Sequence, residues 1–230
     1  MRSNFHKLQI TRLGNRSANA CLELAARTFG KDSPEFQVVS DFTKEKRAGS
    51  VSANIDVTHA YRWCKEHGRS FATAYHWASA KAINEIDALK MRIENDLPVL
   101  FDTVHVSTTI ARSDGTFGFS FTPFDADFES FHEALRIETD RVKAESGLKS
   151  PYSGIDVLYF TVLRKVKFTM MEHAHGLGDG SAIPFLTFGE SFEKNGRLLL
   201  PHSLRIHHSL VDGQHVGLYY ERLEEILKEF

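Results

Sequence analysis

The sequence predicts a mixed α/β domain, an α+β two-layer sandwich in which a mixed β-sheet is flanked by helices. Three observations lead there. Helical and strand-like segments interleave without the strict βαβ rhythm of a doubly wound sheet. Between Met91 and Phe124 helical periodicity gives way to short β-branched and aromatic runs. The last stretch, Gly213 to Lys228, is an amphipathic helix. With 230 residues and 42% hydrophobic residues the chain can bury one ordinary core. No linker, repeat or low-complexity stretch divides it, so residues 1–230 are expected to form a single domain.

Ala18 to Arg27 has helical character, and Glu35 to Phe42 reads as a strand. Thr43 to Ser50 is polar and reads as a loop. Asn54 to Thr58 leads into a helix running to about Glu66, with Asp56 or Thr58 as cap and His67-Gly68 as its end. A second helix is predicted from Ser70 to Asp87, since Phe71, Tyr75, Ala78, Ala82, Ile83 and Ile86 recur at helical spacing. Met91–Ile93, Val99–Phe101, Thr103–Ile110 and Thr116–Phe121 read as strands, with Ser113-Asp114-Gly115 as a hairpin turn. Asp127 caps a helix that turns Phe128, Phe131, Leu135 and Val142 inward and stops at Gly147. Val157–Leu163, Lys167–Met171 and Leu198–His207 read as further strands. In the final helix Val216, Tyr220, Leu223 and Leu227 form the apolar stripe.

Composition excludes several classes. The net charge of −2 implies no broad basic surface, so no nucleic-acid partner is expected. Cys21 and Cys64 alone make no disulfide framework. The first residues hold no apolar signal region, and no apolar run is long enough to span a bilayer, so a cytoplasmic protein without a membrane partner is expected. The 18 phenylalanines are better explained by aromatic core packing than by an aromatic pocket.

The chemistry concentrates at Ile206-His207-His208-Ser209-Leu210-Val211-Asp212-Gly213-Gln214-His215-Val216-Gly217. A histidine titrates near neutral pH and can act as a general base. An acid one turn later can lock the backbone or balance charge, and the glycine permits a tight bend. A second His-x-x-x-Asp-Gly form runs from His175 to Gly180. It reads as a glycine loop, as a metal site of His173, His175 and Asp179, or as the catalytic element itself. The loop reading leads, because no amphipathic helix follows it and His-x-His alone is a weak metal signal.

The doubled histidine with Asp212-Gly213 and His215-Val216-Gly217 resembles the active-site signature of the chloramphenicol acetyltransferase family. The likeness spans about Asn54 to Leu227. Ile55-Asp56-Val57-Thr58, Phe71 to Tyr75, Leu89 to Ile93, Phe101 to Val104, Phe168-Thr169, Pro184 to Thr187 and Gly196 to Pro201 are similar to the family's segments in order. The resemblance implies a homotrimer with active sites at subunit interfaces. His208 would take the proton from a hydroxyl acceptor, which attacks the thioester of acetyl-CoA directly, with no acyl-enzyme. Acetyl-CoA would be a co-substrate, not a bound cofactor, and neither a metal nor identified acetyl-CoA-binding residues are implied. Asp212 would be structural, paired with an arginine for which Arg12, Arg16 and Arg27 are candidates. Thr187 would hold a water near the transition state, and His207 would be a packing neighbour.

The sequence also departs from the family. Its Trp-x-Arg-Lys-Glu-x-Phe opening is absent. Met170 stands where a serine hydrogen-bonds the oxyanion, and a thioether cannot donate. Thr108-Thr109-Ile110-Ala111 replaces the bulkier acceptor-pocket strand, and Glu190-Ser191 replaces Lys-Tyr near the CoA. Chloramphenicol as acceptor is therefore implied by the resemblance and not by these pocket residues, and another small hydroxyl or amine compound is the second reading. A weakly active relative that acts as a binding protein is the third reading.

Overall fold

The computed structural model describes residues 32–33, 48–94, 97–148, 150–173, 182–208 and 210–230. The expected helix at 18–27, the strand at 35–42 and the candidates Arg12, Arg16 and Arg27 lie outside these residues.

A seven-stranded mixed sheet forms the spine, in the order β1-β9-β7-β6-β4-β5, with β8 added to β9. Its strands are β1 (Ala48–Asp56), β4 (His105–Ala111), β5 (Phe117–Phe119), β6 (Val157–Val162), β7 (Phe185–Phe188), β8 (Phe192–Lys194) and β9 (Arg197–His207). β4, β6 and β7 run parallel; β1 and β7 pair antiparallel with β9. A separate ribbon joins β2 (Met91–Glu94) to β3 (Leu97–Leu100). The helices are α1 (Thr58–Glu66), α2 (Phe71–Asn84), α3 (Asp87–Lys90), α4 (Phe128–Ala144) and α5 (Gly213–Lys228).

One face of the sheet carries the core. Val106, Leu158, Phe160, Leu186, Phe188, Leu200 and Leu204 point into it and meet Ala78, Ala82 and Ile83 of α2, Phe131 of α4 and Tyr219, Leu223 and Leu227 of α5. Alternation along each strand leaves the other face to different side chains.

The helices start where their caps stand. Ser70 accepts the Thr73 N–H, and Asp127 accepts the Ser130 N–H. The Asp56 carboxylate accepts both the N–H and the hydroxyl of Thr58, although Val57 is the formal cap residue of α1. α2 stops at Asn84 rather than Asp87, and a single further turn, α3, follows. In α5 the fully buried tyrosine is Tyr219; Tyr220 reaches the edge and donates to the Val51 carbonyl.

Two expectations need correction, and one hairpin is new. Residues 48–56 are not loop and helix lead-in but edge strand β1. Its small residues Ala48, Gly49, Ser50, Ser52 and Ala53 carry little β-propensity, and nine-residue pairing with β9 imposes the strand. Residues 167–171 are not a strand. After a turn in which Lys165 takes a positive φ of 65°, they cross the sheet face instead of joining its edge. Asn195 and Gly196, both at positive φ, close an unanticipated hairpin between β8 and β9.

Arg92 is a buried staple. Its guanidinium donates to the carbonyls of Leu89, Met91, Ile155 and Val157, tying the β2 ribbon to the start of β6. Burial lowers its pKa to about 9, so it stays protonated at neutral pH.

Candidate active site

β9 ends at His207, and the turn beyond it carries His208 to the surface. His208 Nδ1 lies 3.0 Å from the Val211 carbonyl. A carbonyl can only accept, so Nδ1 carries the proton and Nε2 presents its lone pair. Nε2 meets no hydrogen-bond partner among the described residues. The tautomer suits a general base.

Asp212 starts α5. Its carboxylate accepts the N–H groups of Gln214 and His215, and the His215 ring accepts the Asp212 N–H in return. This reciprocal capping box fixes the helix start next to Val211, and with it the carbonyl that orients His208. His207 is half-buried, with Nδ1 buried and without a hydrogen-bond partner among the described residues. Burial lowers its pKa, helped by Arg205 and His208.

Thr187 sits elsewhere, fully buried in β7. Its register partner in β9 is Ser203. From Ser203 the strand runs roughly 13 Å to His207, at about 3.3 Å per residue. One chain therefore does not bring Thr187 and His208 together, whereas His208 and Asp212 are neighbours across a turn.

The sheet face opposite the core bears a row of hydroxyls. Ser52 pairs with Ser203, Ser203 with Thr187, and Thr187 with Thr161. Thr161 Oγ1 lies 3.5 Å from Thr109 Oγ1, which extends the row to β4. The segment 167–173 lies over this row. Met171 donates its N–H to Ser52 and accepts from the Ser203 hydroxyl, and His173 Nε2 lies 2.8 Å from Thr187 Oγ1. Phe185 packs beside His173, its ring 5.1 Å away, with Arg205 over it. Met170 is 76% exposed on this face. Sequence reasoning did not see the row. Its trace is there as hydroxyls at Thr109, Thr161, Thr187 and Ser203 in the middle of apolar strands.

The family profile described as chloramphenicol acetyltransferase matches residues 34–224. The chain belongs to the chloramphenicol acetyltransferase family. It is 25% identical to the chloramphenicol acetyltransferase of Bacillus pumilus over 181 residues, covering 78% of this chain and 82% of that one. It is 24% identical to the Staphylococcus aureus enzyme over 196 residues, 83% and 89% of the two chains. A solved chloramphenicol acetyltransferase superposes with a TM-score of 0.76 at 25% identity, covering 86% of this chain and 97% of that one. Family membership makes the chain an acyltransferase.

Of the second histidine motif, His175 and Asp179 lie outside the described residues, while His173 engages Thr187. Among the described residues no three His, Cys, Asp or Glu side chains gather as a metal site. Among them, too, no helix is long and apolar enough to cross a membrane.

Proposed function

We propose that the protein is an acetyl-CoA-dependent O-acetyltransferase, with chloramphenicol or a related small hydroxyl compound as acceptor, acting as a cytoplasmic homotrimer. The observation that carries the reading is the His208 imidazole, fixed through Nδ1 by the Val211 carbonyl with Nε2 outward. Nε2 removes the proton of the acceptor hydroxyl. The oxygen attacks the thioester carbonyl, a tetrahedral oxyanion forms, and its collapse expels the CoA thiolate. The proton held by His208 returns to the sulfur, so the enzyme ends as it began. General-base catalysis of this kind contributes about 10²–10⁴-fold. Asp212 holds the turn and touches no reactant. Thr187 serves the same site from a neighbouring subunit, since within one chain it is far from His208. Cytoplasmic placement and a role in antibiotic resistance follow from the reading rather than from any residue.

A different acceptor is the second reading. Thr109 and Thr161 make the sheet face polar where the family's pocket strand carries aromatic residues. That surface favours a smaller or more hydroxylated compound.

Thiol release from acetyl-CoA with chloramphenicol tests both. Turnover that His208→Ala abolishes supports the assignment. Turnover that survives His208→Ala rejects His208 as the base. Acetyl-CoA binding without chloramphenicol turnover, but with turnover of another hydroxyl compound, selects the second reading.

A further inference from the structure

The tetrahedral intermediate needs a hydrogen-bond donor at its oxyanion. Position 170, which would supply one in the family, holds a thioether with no donor hydrogen. Three residues on, His173 pairs with Thr187 at 2.8 Å. A neutral imidazole and a hydroxyl own one polar hydrogen each, and their mutual bond uses one. The other is left over, on Nδ1 if threonine donates or on the threonine oxygen if histidine donates. Thr187 is fully buried in the sheet and His173 is half-buried above it. Among the described residues the buried Thr187 hydroxyl meets no acceptor other than His173 Nε2, so threonine donates and the accessible donor is Nδ1–H. Nδ1 has no hydrogen-bond partner among the described residues.

The ring is well fixed. Two residues earlier, Met171 is anchored through both its N–H and its carbonyl to the Ser52–Ser203 pair. The segment then steps one strand across the hydroxyl row to Thr187, and Phe185 backs the imidazole. Donor and floor thus belong to the face that also carries Met170. A preorganised donor of this kind costs no reorganisation when charge develops.

We propose that His173, oriented by Thr187, donates the oxyanion hydrogen bond in place of the side chain at position 170. The inference rests on the acetyl-transfer reading above. Burial, reinforced by Arg205, keeps the imidazole pKa below its ordinary value, which preserves the neutral ring the pairing needs.

The test is steady-state thiol release by wild type, His173→Ala, His173→Asn, Met170→Ser and the Met170→Ser/His173→Ala double variant. His173→Ala should lower kcat about 10²-fold with the KM for acetyl-CoA little changed. His173→Asn, which keeps an N–H donor, should lose less. Met170→Ser should do little alone and restore much of kcat in the His173→Ala background, a rescue that a purely structural histidine would not show. Unchanged kcat in His173→Ala overturns the inference. So does a loss that Met170→Ser leaves in place, or one expressed as a rise in KM. Wild type that turns over while His173→Ala matches it defeats this inference alone. Wild type without thiol release for any acceptor defeats acetyl transfer and this inference with it.

Discussion

Histidine chemistry in this chain is decided by what each ring nitrogen touches. His202 is fully buried between β7 and α5, with Nδ1 3.1 Å from the Thr187 carbonyl and Nε2 2.8 Å from the Tyr219 hydroxyl. The carbonyl requires Nδ1–H, so Nε2 accepts from tyrosine and a second proton has no place. Burial lowers the His202 pKa to about 3, and that of His76, packed against Phe160 and Tyr75, to about 4. Both folded values lie below the unfolded value near 6.5. Between the two, the unfolded chain binds more protons than the folded one, so stability is full above about pH 6.5 and falls as pH falls. Each histidine costs about 1.4 kcal/mol per pH unit in that window, or about 2 kcal/mol by pH 5. Urea midpoints should therefore drop between pH 7.5 and pH 5, and His202→Gln, which keeps the bonding but does not titrate, should flatten the slope. An unchanged slope in His202→Gln would mean that His202 is solvated. His208 is exposed and, among the described residues, holds one nitrogen in a bond, the opposite arrangement.

Elements carry these residues into place, and their junctions are the sensitive points. A Cβ at Gly189, just after β7, would sit 2.6 Å from the Val166 carbonyl oxygen and 3.1 Å from the Phe168 ring. Val166 begins the segment that crosses the sheet face, and its carbonyl accepts the Glu190 N–H. Gly189→Ala must push that backbone away. Overpacking of this sort costs about 1–3 kcal/mol, and here it should also lower kcat, because the displaced segment holds Met170 and His173. Thermal unfolding with kinetics on the same sample checks both; a fully stable, fully active variant would show that the segment is free to shift. The helices were legible because caps and periodicity agree: Ser70, Asp127 and Asp212 all cap where the apolar repeat begins. The His208 turn was legible for the same reason, since its motif is local. β1 was not, because its small residues gain strand geometry only from β9. The 167–171 segment misled because Val166, Phe168 and Thr169 have strand propensity, yet Ser52 and Ser203 satisfy the Met171 backbone in place of a ladder. The hydroxyl row was hidden because it is a property of register across strands far apart in sequence.

At the scale of the whole molecule the two halves of the site face a geometric problem. His208 stands at the far end of β9, and Thr187 with His173 stands near its middle, across roughly 13 Å or more of strand. No side chain closes that gap, and the sheet between them is rigidly paired. In the proposed homotrimer a closed ring repeats one heterologous contact, which would bring the end of β9 in one subunit to the sheet face of the next. Every site of that trimer would draw its base from one chain and its proposed oxyanion donor from another. This makes activity a property of mixtures. A His208→Ala chain and a His173→Ala/Thr187→Val chain should each be nearly inactive alone. Coexpressed in equal amounts, random assembly places an intact His208 against an intact His173–Thr187 pair in about one quarter of sites. The mixture should then show about a quarter of wild-type kcat per site, far above the sum of its parents. Separately purified parents, mixed without dissociation, should show none of this gain. Activity in the coexpressed sample no greater than the parental sum would place the whole site within one chain, and would require His208 and Thr187 to meet through a rearrangement of the sheet that its register opposes.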